Sequence, residues 1–370
     1  AASAGASDPQ SLYVNLIAHL KTRLTKTWPL EGTIMKLRAL SFVAATLMLA
    51  IVPPAARAET SDVRIALGFG IGYLPLMVME HERLLEQHAK ATGIDPIKVQ
   101  WLQFSGAAAM NDALLSGNLD FASGGIVPPI IMWAKTRGTN FEVKGVCALS
   151  SMPYVLNTRN PNVRTVKDFT KQDRIAMPAI RISPYAVLLQ MEAEKIYGRG
   201  HYAKFDPLTV AMRHPDAVVA MRSPESGIDS DFTYPPFSYM ELADPGVHTV
   251  LTSQQVLGGR SSATVVWAMS RFRTANPKTY AAFMAAMTQA IQIIRNDKEK
   301  AANIYLEISH SKEPMKLILT MLNDPGVEFT MTPQGAGQYA AFMHSVGTVK
   351  VKPASWKELY FPEVHDLPGS

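Results

Sequence analysis

The sequence predicts an α/β protein of two similarly built lobes, each a mainly parallel sheet flanked by helices. Two patterns carry that expectation. Short apolar, β-branched runs alternate with helical segments from Val63 onward, the order that parallel strands joined by crossover helices require. Gly117-Asn118-Leu119-Asp120 ahead of Pro128-Pro129 is also echoed by Gly227-Ile228-Asp229 ahead of Pro235-Pro236, as though one unit were used twice.

Val63-Arg64-Ile65-Ala66-Leu67 reads as a strand running into Gly68-Phe69-Gly70-Ile71-Gly72. The spacing is not G-x-G-x-x-G and no acidic residue ends a second strand in register, which disfavours a dinucleotide turn. These glycines are expected instead to let backbone pass close to a small ligand. Residues 98–104 form the next strand. Ser105-Gly106 then caps a helix with Met110, Ala113 and Leu114 inward, ended by Gly117. Residues 119–122 begin a third strand before Gly124-Gly125 and the helix start at Pro128-Pro129.

After extended segments at 141–150 and 154–158, the unit repeats. Residues 174–177 form a strand, and Ser183-Pro184 opens a helix with Val187, Leu188 and Met191 inward. Serine at the cap with proline behind it is a strong start signal, because proline's fixed φ suits the first turn and its missing N–H is not needed there. A strand at 208–212 and a helix at 215–221 follow. Strands at 247–251 and 264–269 are expected to return the chain to the first lobe. There Asn276-Pro277 opens a long helix with Phe283, Met287, Ile291 and Ile294 on one face. Helices at 299–309, 313–322 and 333–345 come next, the last started by Thr332-Pro333. A tail carrying Trp356, Tyr360 and Phe361 wraps back as a strap. The expected division is therefore residues 59–152 and 247–345 in the first lobe, 153–246 in the second, and 346–370 in the strap.

At 370 residues, 47% hydrophobic and 18% charged, the chain is long enough for two cores and too apolar for general disorder. Lys and Arg outnumber Asp and Glu by 36 to 31. The first 58 residues alone hold six basic against two acidic residues, so the body is nearly neutral and nucleic acid is not an expected partner. A lone cysteine, Cys147, excludes an internal disulfide and reads as a buried apolar residue. From Met35, the basic Lys36 and Arg38, an apolar run to Val52, Pro53-Pro54 and Ala56-Arg57-Ala58 make residues 35–58 an export signal cut between Ala58 and Glu59. Residues 1–34 read as an upstream extension.

Catalytic patterns are scarce. G-x-S-x-G and H-E-x-x-H are absent, although His81-Glu82-Arg83 begins like the latter. His81, Glu82 and His88 fall on a charged helix face, and Asp229 and Asp231 read as a turn or strand edge. No nucleophile is paired with a base, and neither cofactor nor metal is expected. The helix starts at Ser105-Gly106 and at Ser183 offer unpaired N–H groups to an anion held by both lobes. Arg181 either adds a charge-assisted bond or is a surface charge. Phe69, Tyr73 and Tyr234 are either walls of such a site or ordinary core.

These pieces resemble the solute-binding subunits of bacterial ABC importers for nitrate, alkanesulfonates and taurine. The resemblance is carried by residues 68–75, Phe104-Ser105-Gly106, the run from Gly117 through Gly125 to Pro128, Thr165-Val166-Lys167-Asp168-Phe169 and Asn276-Pro277, and it covers about residues 61–345. It implies the type 2 periplasmic-binding-protein-like fold, a monomer in the periplasm that serves a membrane permease, and capture of a small, anionic solute by lobe closure. Ligand contacts would fall at Phe69, Gly70, Tyr73, Ser105, Gly106, Gly124, Gly125, Ser150, Arg181, Ser183, Asp229 and Tyr234. Thr170-Lys171-Gln172 stands where the family has a glycine, and residues 223–231 are longer and more polar than its pattern. These departures leave a larger, less anionic or aromatic solute open. An enzyme of the same fold, resembling the pyrimidine-biosynthesis proteins, and a ligand-sensing partner of a membrane receptor are the alternatives.

Overall fold

The structure is a computed structural model that describes residues 59–104 and 107–370. The expected leader (35–58), the extension before it, and Ser105 and Gly106 lie outside the described residues. The first lobe opens with β1 (Asp62–Ala66), α1 (Leu74–His81), α2 (Leu84–Ala91), β2 (Lys98–Leu102), α3 (Ala107–Leu115), β3 (Ala122–Gly124), α4 (Val127–Thr136) and β4 (Val143–Ser151). The second contains β5 (Val155–Thr158), β6 (Ile175–Met177), α5 (Pro184–Tyr197), β7 (Thr209–Ala211), α6 (His214–Arg222), β8 (Ser230–Thr233), α7 (Phe237–Leu242) and β9 (His248–Thr252). After α8 (Ser253–Leu257) the chain returns through β10 (Ser262–Met269), α9 (Ser270–Ala275), α10 (Pro277–Asn296), α11 (Lys298–Ser309), α12 (Met315–Asn323), β11 (Glu328–Phe329) and α13 (Ala336–Ser345).

The protein is α/β and two-lobed, as expected, with sheets that are mixed. In the first lobe β2 and β1 pair in parallel, and a parallel bridge from Ile65 to Phe121 links them to β3. β10 then lies antiparallel between β3 and β4, and β11 covers the far side of β4. The second sheet runs β7-β6-β8-β5-β9, with β6 parallel to both neighbours and β5 antiparallel to both of its own. Each lobe thus has a parallel trio built from strand–helix–strand units. The antiparallel strand beside it, β10 or β5, is the one that arrives from the other lobe.

The segment at 247–251 does not return to the first lobe. β9 pairs along the open edge of β5, Leu251 opposite Leu156, because that edge offers a complete ladder of backbone partners and buries Leu251. The return comes only after it. There the two crossings are tied together: Ser253 N–H donates to the Tyr154 carbonyl at 2.8 Å, and Tyr154 N–H donates to Ser253 Oγ at 3.1 Å.

Other local readings hold or shift for simple reasons. Phe283, Met287, Ile291 and Ile294 are all buried, with the Phe283 ring stacked on Phe121 at 4.0 Å. Cys147 is buried within β4, where burial pushes its thiol pKa well up. Thr332-Pro333 does not cap a helix. Gln334 instead exchanges hydrogen bonds with Ser262 of β10 at 2.9–3.0 Å, and α13 starts after Gly335 in the left-handed region. In the tail, Phe361 N–H donates to the Gly145 carbonyl at 2.8 Å, and the Tyr360 ring occupies the space beside Gly145 where a Cβ would stand.

The sequence echo has a structural counterpart. Asp120 precedes β3, and its carboxylate accepts Arg64 N–H of β1 at 2.8 Å and the Arg64 guanidinium at 3.0 Å twice. Asp229 precedes β8, and its carboxylate accepts Arg174 N–H just ahead of β6 at 3.3–3.4 Å. In both lobes an aspartate closes the start of the central parallel pair. The shorter, three-bond case sets the larger effect: Asp120→Ala is expected to cost about 2–3 kcal/mol and Asp229→Ala about 1 kcal/mol. Chemical denaturation of both variants checks this ranking, and equal losses contradict it.

Candidate functional site

A cavity of about 330 Å³ opens between the lobes. From the first lobe it is lined by the β1–α1 turn (Leu67, Gly68, Phe69, Tyr73), Phe104, the start of α3 with Met110, the β3–α4 turn (Ser123, Gly124, Gly125, Pro128), and Thr264 and Trp267 of β10. From the second it receives Pro178 and Ala179, Ile182 to Tyr185 at the start of α5, Arg213 to Pro215 at the start of α6, and Tyr234 after β8. All these segments follow the carboxyl ends of parallel strands except β10, the placement this sheet architecture gives to ligand loops.

Among the sequence-derived candidates, the cavity brings together Phe69, Tyr73, Gly124, Gly125, Ser183 and Tyr234. The other four described ones lie elsewhere. Ser150 is fully buried one layer behind the wall, hydrogen-bonded to Thr264 Oγ1, which in turn donates to the Gly72 carbonyl at 2.8 Å. Arg181 is exposed at the centre of a tight turn with φ +68°, closed by Ile182 N–H on the Ile180 carbonyl at 2.9 Å. It does not line the cavity, although its neighbours Ile182 and Ser183 do. Asp229 is spent on β6, as described above. Gly70 contributes packing: with φ +101°, it lies where an added Cβ would meet the Tyr234 hydroxyl at 2.4 Å.

That contact adds a packing role for the glycines. An added Cβ at Gly68 would meet the Tyr73 ring at 2.3 Å, at Gly72 the Thr264 hydroxyl at 2.5 Å, and at Gly125 Pro184 Cγ at 2.5 Å. The bare backbone admits side chains of the protein, while Gly68 and Gly125 also line the cavity. Two of these approaches cross between lobes, Gly70 to Tyr234 and Gly125 to Pro184, and Tyr234 OH donates to the Phe69 carbonyl.

The polar groups of the wall are largely committed. Ser123 Oγ donates to the Ala66 carbonyl, and Ser183 Oγ donates to the Ala179 carbonyl while accepting Ala186 N–H at 3.2 Å. Trp267 Nε1–H donates to Asn111 Oδ1 at 3.2 Å. Tyr185 OH lies 2.8 Å from His214 Nε2, and His214 Nδ1 lies 3.1 Å from Thr233 Oγ1. Arg213 is held in a bidentate pair with Asp216 of its own helix at 2.7 and 3.2 Å. Sequence reasoning missed Trp267, Met110, Tyr185, Arg213 and His214; only the cap-and-proline pattern of Arg213-His214-Pro215, similar to Ser183-Pro184, signals the helix start that brings the last two in.

Behind His214 lies an unexpected acidic pair. Asp231 points from the central strand β8 rather than an edge, is fully buried, and stands 3.9 Å from His214 Nδ1. Glu241 of α7 is 2% exposed and accepts Asn157 Nδ2–H at 2.9 Å. Burial disfavours charge on every member. It pushes Asp231 up to about 7 and Glu241 up to about 10, the latter also because the Asp231 charge faces it, and it pulls His214 down to about 3, leaving its ring neutral.

No family model matches the sequence, and no curated protein matches it. The fold does match solved structures. The alkanesulfonate-binding protein SsuA from Xanthomonas axonopodis pv. citri, bound to MOPS, superposes with a TM-score of 0.62 at 18% identity, covering 83% of this chain and 98% of that one. The periplasmic aliphatic sulphonate binding protein SsuA from Escherichia coli gives 0.61 at 17%, covering 82% and 92%. The periplasmic nitrate-binding protein NrtA from Synechocystis PCC 6803 gives 0.61 at 15%, covering 81% and 84%. At these identities the likeness is one of fold, and the fold is that of the type 2 periplasmic binding proteins.

The acidic pair makes stability fall with rising pH. Carboxyls whose folded pKa is raised contribute stability that is complete below their unfolded values near 4 and lost as pH climbs through the raised ones. Between pH 5 and 9 the pair's loss is expected to be on the order of a few kcal/mol, offset in part below about pH 6.5 by His214, whose lowered pKa acts in the opposite sense, and Glu241→Gln, which removes the group with the larger shift, is expected to remove most of it. Thermal melts across that range check this; an unchanged pH slope in the variant contradicts it.

Proposed function

We propose that the chain is the solute-binding subunit of an importer, exported by residues 35–58 and acting outside the cytoplasm, where it captures a small molecule between its lobes and delivers it to a membrane permease. The observation that carries this reading is the cavity at the seam. It takes walls from both lobes and is bordered by interlobe contacts at Gly70 and Gly125. A site divided this way binds fully only when the lobes are together, so solute binding favours the closed arrangement.

Binding without turnover fits the wall better than catalysis. The one imidazole, His214, is neutral and spans Tyr185 and Thr233. The wall's serine and threonine hydroxyls, Ser123, Ser183 and Thr264, bond backbone carbonyls and not His214, so none is paired with a base as an attacking nucleophile would be. The fold likeness to binding proteins for sulfonates and nitrate supports a transport role.

Purification of the body, residues 59–370, under native conditions followed by mass spectrometry is expected to recover a retained small molecule. After its removal by mild denaturation and refolding, it is expected to rebind at one equivalent and remain chemically unchanged over hours. Steady conversion of that molecule contradicts the binding reading in favour of an enzyme.

A further inference from the structure

We infer that the Tyr239 hydroxyl of the second lobe and the Asp324 carboxylate of the first form a latch, outside the cavity, that holds the lobes together and sets how long a captured solute stays. The inference rests on the solute-binding reading above and deepens it by naming what regulates that site.

Three observations carry it. The first is the bond itself. Tyr239 of α7 donates its hydroxyl to Asp324 Oδ2, just past the end of α12. Both residues are half-buried, and neither lines the cavity. A hydroxyl on a carboxylate makes a stronger bond than one between neutral groups. Burial, and the Asp324 charge beside it, push the Tyr239 pKa up, so the phenol remains a donor.

The second is that each partner is held firmly by its own lobe. Asp324 Oδ1 accepts Gly326 N–H at 2.6 Å, and the Asp324 carbonyl accepts Val327 N–H at 2.9 Å. The turn so formed is tied to the passages between the lobes. Arg260, on the return just ahead of β10, donates to the Pro325 carbonyl at 2.5 Å and pairs with Glu328 at 3.2 Å. Glu328 and Phe329 of β11 pair with Ser151 and Ser150, where β4 leaves for the second lobe. On the other side, Phe237 and Glu241 stand four residues apart on one face of α7, and both are buried. Glu241 accepts Asn157 Nδ2–H at 2.9 Å, and the Phe237 ring stacks on His214 at 5.2 Å between centroids. Tyr239, midway between them, therefore falls on the opposite face of the helix.

The third is where α7 leads. Its Ser238 N–H donates to the carbonyl of Tyr234 at 3.1 Å, and Tyr234 and His214 both line the cavity. A motion that parts Tyr239 from Asp324 thus draws Tyr234 away from the Phe69 carbonyl of the first lobe. The approaches at Gly70 and Gly125 set how near the lobes come. The latch adds a bond made only in the closed arrangement, and a bond made in one state alone shifts the balance between states by its full net worth.

The test reads lobe separation and solute retention on the same protein. Cys147 is the one cysteine and is fully buried, so nitroxide labels attach only at Lys135→Cys on α4 and Val219→Cys on α6, both exposed positions. Double electron–electron resonance then measures the distance between lobes. In the body stripped of retained molecules, Tyr239→Phe is expected to raise the ratio of long to short distances about tenfold, as the loss of one hydrogen bond to a charged group would. Asp324→Asn, which keeps an acceptor for Gly326 and turns a donor towards the phenol, is expected to do the same, and the double variant no more than either. Native mass spectrometry of unstripped protein is expected to show the co-purified molecule leaving both variants about tenfold faster on dilution. Unmoved distances in both variants, with or without a lowered melting temperature, overturn the latch and leave the solute-binding reading intact. Additive effects in the double variant overturn the pairing, and moved distances with unaltered release overturn the latch's part in holding solute. A wild-type body that retains no molecule on native purification overturns the solute-binding reading, while distances that move still support the interlobe bond.

Discussion

The cavity exists because backbone without side chains lets the lobes approach at two places. Gly70 lies against Tyr234, and Gly125 against Pro184, each at a distance that a single Cβ would violate. Contacts this close are stiff, since protein interiors yield little to added volume. They set the separation of the two walls, and the Tyr234 hydroxyl on the Phe69 carbonyl fixes the alignment. Everything that faces the cavity is then positioned by helices and strands whose relative placement these approaches define.

A second regularity is how little of the wall's polarity is left over. The hydroxyls of Ser123, Ser183, Thr264 and Tyr234 each close a backbone contact, and the neutral His214 is locked between Tyr185 and Thr233. Behind it, Asn157 donates to Glu241 and accepts from Thr249 at 2.6–2.9 Å in the core of the second lobe. Such a network rigidifies the site while keeping charge away from it. The cavity is thus polar in composition at several positions and nearly apolar in what it presents.

Local signals in the sequence described the scaffold well. Ser183-Pro184, Asn276-Pro277 and the face of Phe283, Met287, Ile291 and Ile294 depend on residues close in the chain, and each reads directly as a helix start or buried stripe. The paired aspartates were legible only as an echo, because their targets, Arg64 and Arg174, lie 56 and 55 residues away. The site was legible in part. Phe69, Tyr73, Gly124, Gly125, Ser183 and Tyr234 stand beside turns that the alternation of strands and helices places at one end of each sheet. Trp267 and Met110 reach the wall from elements that looked like ordinary core. The direction of 247–251 and the burial of Asp231 depended on which strand edge was free, a tertiary fact that strand propensity does not carry.

The most direct test of this account is solution X-ray scattering of the Gly125→Val body beside wild type, each with its solute-retention assay. Gly125 has no positive φ, so the substitution probes space alone. The account predicts a native melting transition, a larger radius of gyration and loss of retained solute, because valine wedges the β3–α4 turn away from Pro184. An unchanged envelope with solute still held at one equivalent would contradict it.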